Sequence, residues 1–123
     1  MTTADISAHD IVGGVALPVP VLQILIALAD RDSHGYAIMQ DVAARTDGAL
    51  RLGPGTLYGS IKRMLHDGLI EELDERPDPA EDDVRRRYYR ITPLGRKMAI
   101  AEVRRLATLV RLARSTGLVP KTT

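Results

Sequence analysis

From Val21 onward the chain is apolar almost all round: Val21, Leu22, Ile24, Leu25, Ile26, Leu28 and Ala29 leave little room for a polar face. A helix with that pattern is buried on more than one side. It is expected from about Pro20 to Arg31, with the proline in the first turn, where its missing N–H costs nothing. The next stretch is amphipathic. Tyr36, Ala37, Ile38, Val42 and Ala43 recur at helical spacing, Ser33 can cap the start, and Gly48 can end it in the left-handed conformation. A helix over His34 to Thr46 follows. After a short extended link, Ala49 to Leu52, the run Gly53-Pro54-Gly55-Thr56 opens a third helix that reaches Asp67 and stops at Gly68. At about 100° per residue, Leu57, Ile61, Met64 and Leu65 gather on one side, and Gly59, Lys62, Arg63 and His66 lie opposite.

The period then changes. Leu69-Ile70-Glu71-Glu72-Leu73 and Arg87-Tyr88-Tyr89-Arg90-Ile91 read as two strands around an acidic loop holding Pro77 and Pro79. Thr92-Pro93 is a capped helix start, and the last helix extends to about Thr116, before Gly117. Its apolar positions include Leu94, Met98, Ile100, Ala101, Val103, Leu106, Leu109, Val110, Leu112 and Ala113. That is more surface than one contact within the chain needs. The predicted order is three helices, a strand, a loop, a strand and a long helix.

Composition narrows the chemistry. The 123 residues, 45% hydrophobic and 27% charged, suit one soluble domain. With no Cys, disulfides, thiolate metal sites and a cysteine nucleophile are excluded together. With no Phe or Trp the core must be aliphatic. The net charge of +1 hides an uneven distribution. Eight acidic residues and one basic one lie between Glu71 and Asp83, and Arg85, Arg86, Arg87 and Arg90 then follow with no acid among them. A local basic cluster of that kind steers phosphate binding. Ile11 to Ala29 is uncharged, but Gly13-Gly14 and Pro18-Val19-Pro20 interrupt it, and no basic leader precedes it. A membrane span and a signal peptide are therefore not expected; a soluble, cytoplasmic protein is.

Two short helices joined by a tight link, the second with one apolar and one basic face, describe a helix-turn-helix, and the strand-loop-strand after it is a wing. The expected fold is mainly α (α+β): an N-terminal arm over 1–17, a winged helix-turn-helix over 18–92, and a C-terminal dimerisation helix and tail over 93–123. The second helix of the motif would enter the major groove of double-stranded DNA. Lys62 and Arg63 supply charge for phosphates and guanine edges, and Gly59 lets the backbone approach closely. Thr56, Tyr58 and Ser60 offer hydrogen-bonding groups at the rim, and Tyr36 joins them as an aromatic with a polar tip. Arg85, Arg86 and Arg87 at the base of the wing complete the expected DNA-binding set. On the last helix Met98, Ala101, Val103, Leu106, Leu109, Val110 and Ala113 are the expected dimer surface. A two-fold dimer would set two recognition helices roughly 34 Å apart on a palindromic operator.

His34-Gly35-Tyr36, Gly55-Thr56-Leu57-Tyr58, Lys62-Arg63-Met64, Asp67-Gly68-Leu69-Ile70 and Arg87-Tyr88-Tyr89-Arg90-Ile91-Thr92-Pro93-Leu94-Gly95-Arg96 stand in order and in register. Together they resemble the PadR family of transcriptional regulators, from about Val21 to Gly95. The resemblance implies a winged helix, a homodimer built through the last helix, and repression relieved by a small molecule or another cellular signal. This chain departs from the family in carrying Gly59 where proline is common and in its acidic wing tip. Its C-terminal helix is short and carries no tryptophan with which to stack a flat drug.

Other chemistries find little support. His9, His34 and His66 have no ligand spacing, so no metal or other cofactor is expected. No Ser-His-Asp arrangement, phosphate loop or paired carboxylate points to an enzyme. The competing readings are a winged-helix protein-interaction module without operator binding, and a small-molecule carrier using the dimer cavity.

Overall fold

The computed structural model describes residues 16–74 and 87–119. Helix α1, Val19–Asp30, lies at the centre, with Val21, Leu22, Ile24, Leu25, Ala27 and Leu28 buried. It touches α2 (Gly35–Arg45), α3 (Pro54–His66), α4 (Pro93–Ser115) and strand β3 (Tyr88–Ile91). This is the packing demanded by a helix without a polar face. The core is aliphatic apart from Met64, Met98 and Tyr89.

Strand β2, Ile70–Glu72, pairs antiparallel with β3, Glu71 opposite Arg90 and Glu72 opposite Tyr89. A third strand was not legible in the pattern: β1, Ser33–His34, pairs with the other edge of β3, Ser33 opposite Tyr89. The sheet order is β1-β3-β2. Two residues are too few to carry an alternation, and their partner lies far along the chain. The strand also moves the helix cap. Ser33, expected to cap α2, is buried in the sheet. His34 takes the role, its Nδ1 accepting the Ala37 N–H at 3.1 Å.

Helix α2 ends in a tight turn. Gly48 has φ +79°, and its N–H donates to the Ala43 carbonyl at 2.7 Å, which satisfies a carbonyl the helix end would otherwise leave bare. The Thr46 hydroxyl donates to Val42 O and accepts the Leu50 N–H at 3.0 Å. Leu52 then drops into the core, and Gly53 starts α3.

The start of α4 is fastened to the beginning of the wing. The Thr92 hydroxyl accepts the Gly95 N–H at 3.0 Å and donates to Gly68 O at 2.6 Å, while the Thr92 N–H donates to Leu69 O. Gly95 packs so close to the Leu69 carbonyl that a side chain there would overlap it. Along α4 the buried residues are Gly95, Met98 and Glu102. Met98, expected on the dimer surface, is instead 1% exposed in the chain's own core. One period of the apolar stripe closes internally before the helix leaves the body. Beyond Glu102 no described residue of α4 is buried. Thirteen residues, roughly 20 Å of helix, carry a partly uncovered apolar surface.

Candidate nucleic-acid interface

Helix α3 holds its position through Leu57, Ile61 and Met64, each 2% exposed or less. Each such side chain contributes about 1.5–3 kcal/mol relative to exposure. The opposite side is open. Thr56, Tyr58, Gly59, Lys62, Arg63 and His66 are exposed, and Ser60 is half-buried. A Cβ at Gly59 would meet nothing within 4 Å, so the glycine leaves a bare patch of helix backbone. The helix start has glycine at the cap and proline in the first turn, with no side chain bonded to its leading N–H groups. Those groups carry the positive end of the helix dipole.

Two cations flank the bare patch. Lys62 has no acidic partner among the described residues. Arg63 meets Asp67 one turn on, at 3.3 Å, with its side chain 72% exposed. An exposed pair of that kind holds by only about 0.2–1 kcal/mol, so the guanidinium can turn to another anion at small cost.

Tyr58 joins the two helices of the motif. A methyl group on Gly35 would lie 2.6 Å from the Tyr58 hydroxyl, so the glycine is the seat on which the ring rests. Tyr36, the next residue, is half exposed at the first turn of α2. The other tyrosines differ. Tyr88 meets the His34 ring edge-on at 5.1 Å. Tyr89 is 4% exposed, and burial, reinforced by Glu72, pushes its hydroxyl above the ordinary phenol range. Tyr89 is a core residue and does not belong with the boundary tyrosines.

At the wing base Arg87 is exposed and only loosely paired, 3.8 Å from Glu72. Arg90 is held by Glu71 across the strands through two hydrogen bonds of 2.9 and 2.7 Å, so it braces the sheet. Arg85 and Arg86 lie outside the described residues, as does most of the acidic loop. One further exposed cation lies beside the motif. Arg51, in the link before α3, folds its guanidinium over the turn at Gly48, 3.3 Å from where a side chain there would begin. Nothing in its spacing marks it; the turn geometry places it beside the motif.

The surface is therefore a helix-turn-helix with its cationic, side-chain-poor helix outward and a small antiparallel sheet beside it. Residues 24–101 match the model of the PadR-like family of transcriptional regulators. The chain belongs to that family. That family is one of transcriptional regulators. It is 36% identical over 90 residues to the transcriptional regulator Rv3488 of Mycobacterium tuberculosis, covering 73% of this chain and 78% of that one. It is 37% identical over 86 residues, 70% of this chain, to an uncharacterized 37.1 kDa protein in transposon TN4556 of Streptomyces fradiae, but spans only 22% of that relative's length. The fold is that of a transcriptional regulator from Clostridium thermocellum, with a TM-score of 0.67 at 23% identity over 94% of this chain and 96% of the other. Among the described residues no helix is long and apolar enough to cross a membrane, and no group of three or more His, Cys, Asp or Glu side chains is placed to hold a metal ion.

Proposed function

We propose that this PadR-like protein is a cytoplasmic, dimeric repressor that reads a palindromic operator with α3 in the major groove. Lys62 and Arg63 contact phosphates and base edges, and the α3 N-terminus holds a backbone phosphate. Tyr36, Thr56, Tyr58 and Ser60 set the register, and Arg87, with Arg85 and Arg86, grips the backbone beside the wing. A second copy covers Val103, Leu106, Leu109 and Val110, with Ala101 and Ala113 at the edges. The observation that carries this reading is the division of α3: Leu57, Ile61 and Met64 face inward, and Lys62 and Arg63 face out.

Relief by a small molecule or another cellular signal completes the proposal. Between α1 and α4 an open hollow of about 370 Å³ is lined by Leu25, Ile26, Ile91, Ile100 and Val103, with Arg96 and Arg104 at its rim. An apolar lining with a few charged groups is how small-molecule sites are built, so the hollow offers an effector room.

The test is titration of a duplex carrying the promoter region of the protein's own gene, followed by footprinting. Lys62→Ala and Arg63→Ala should each weaken specific binding by about 1–3 kcal/mol and leave unfolding stability within roughly 0.5 kcal/mol. Arg87→Ala should weaken all duplexes alike and lower the salt slope by about one. Unchanged affinity and salt slope in all three, with no footprint, would favour the protein-interaction module instead.

A further inference from the structure

Two open hollows adjoin on α4, and three residues belong to both. The first, between α1 and α4, has a floor of Leu25 and Ile91 and walls of Ile26 and Val103. The second, of about 570 Å³, runs along α4 past Lys97 and Ala101. Arg96, Ile100 and Arg104 line both and form the ridge between them. Their spacing explains the ridge. At about 100° per residue, positions 96, 100 and 104 lie within about 80° of one another, roughly one turn apart along the axis.

The two hollows differ in chemistry. Apart from the ridge arginines, every side chain lining the first is aliphatic: Leu, Ile, Val or Ala. It offers no aromatic ring to stack on a flat ligand and no neutral polar side chain to read one by hydrogen bonds. Such a lining suits a flexible aliphatic chain. The second hollow adds Lys97, so three cations gather there, and no acid lines either hollow. Arg96, Lys97 and Arg104 are exposed and have no acidic partner among the described residues. A single carboxylate matches one arginine fork and leaves two charges unanswered. A phosphate ester carries about −1.5 to −2 charges near neutral pH and three acceptor oxygens, which answers all three cations.

We propose that this double hollow takes an aliphatic amphiphile with a phosphate head. The chain lies between α1 and α4, and the head sits over the ridge on Arg96, Lys97 and Arg104. This rests on the effector reading above and gives that effector a chemical class. A chain wedged between α1 and α4 bears on the helix assigned to the second copy. Occupancy shifts the DNA-binding form by as much as the ligand prefers one setting of α4 to another.

The probe is decyl phosphate, kept below the concentration at which it forms micelles and titrated calorimetrically into the full chain. It should bind about tenfold or more tightly than decanoate, which keeps the chain and loses a charge, and than phenyl phosphate, which keeps the head on a flat ring. Decyltrimethylammonium, with the same chain and a positive head, should not bind. Arg96→Ala and Arg104→Ala should each weaken decyl phosphate by roughly tenfold, and Ile100→Asp, which sets an acid on the ridge, by more. All three sites are exposed, so the fold is left in place. The rise in unfolding temperature with ligand should shrink in the same order. Equal affinity for decanoate, phenyl phosphate or the cationic amphiphile overturns the proposal, as does binding indifferent to both arginines. Arginine-dependent capture by vesicles of anionic phospholipid, without binding of dispersed decyl phosphate, makes this face a membrane surface and overturns it too. A second arm adds saturating decyl phosphate to the promoter-duplex titration, where DNA affinity should change. Binding as expected with DNA affinity unchanged supports the site and removes the effector reading. If the chain binds no duplex, the operator reading falls, and calorimetry still decides the site.

Discussion

Helices α3 and α4 carry the same kind of stripe and meet opposite fates. In α3 the stripe is closed by its own chain: Leu57, Ile61 and Met64 are almost wholly covered, and what remains outside is polar, cationic or bare. In α4 the stripe is closed only as far as Glu102. Leu106, Leu109 and Val110 are 37%, 48% and 46% exposed. The lesson is that periodicity marks a face as one to be buried and leaves open what buries it. The first helix is finished by folding. The second is left open by folding, and under the dimer proposed above a second copy would cover it, since an uncovered apolar surface of that length invites association.

That contrast can be broken at either end. The largest effect is expected at the closed stripe: Leu57→Ala should cost about 2–5 kcal/mol of unfolding free energy, measured by urea titration, from lost burial and the cavity left behind. Next comes the open stripe. The double substitution Leu106→Asp, Leu109→Asp should weaken self-association by roughly 3 kcal/mol or more, because charge is carried into an apolar contact. Sedimentation reads this directly, and the urea midpoint should lose its dependence on protein concentration. If the pair of aspartates lowers the stability of the isolated protomer as much as Leu57→Ala does, α4 is an internal element and the contrast is wrong. A smaller effect tests the seat of α3. Gly35→Ala drives a methyl group against the Tyr58 ring and should cost about 1–3 kcal/mol, with weaker DNA binding as Tyr58 is displaced; replacing Tyr58 by a smaller residue in the same chain should restore stability.

The smallest effect separates the two halves of α4 by pH. The Arg105 guanidinium, helped by the Leu17 N–H, holds the Glu102 carboxyl below its ordinary range against the opposing effect of burial. A carboxyl held low in the folded state contributes stability that is present above its unfolded pKa and lost as pH falls through its folded one. Stability should therefore be insensitive to this group at neutral pH and decline on the acid side, below the ordinary carboxylate range. Glu102→Gln should flatten that limb without moving the neutral plateau by the same amount. Thermal unfolding across an acid series would show it.

Much of the fold was legible because its signals are local. The faces of α3, the proline starts of α1, α3 and α4, the Thr92 cap and the glycine at the end of α2 each follow from side-chain geometry within a few residues. Arg63, Lys62 and Gly59 could be placed on the outer face for the same reason. Three features resisted. Strand β1 leaves no signal because two residues have no period, and its existence depends on β3 more than fifty residues away. A serine is the better cap of α2 in isolation, so the local sequence points to Ser33; once Ser33 enters the sheet, His34 inherits the task. Met98 is expected outside because it belongs to the apolar stripe of α4, and the stripe does not say where the body of the protein ends.

Sequence alone thus settled which residues form helices, which face of α3 is apolar and which is cationic, and that α4 carries more apolar surface than it can use locally. Tertiary packing decided how far along α4 that surface is spent, that a buried carboxylate marks the boundary, and that a tyrosine rests on a glycine to join the two motif helices. The division follows from range: caps, turns and periodicity are written into neighbouring residues, whereas the partner of a buried face is fixed only when distant segments meet and compete to cover it.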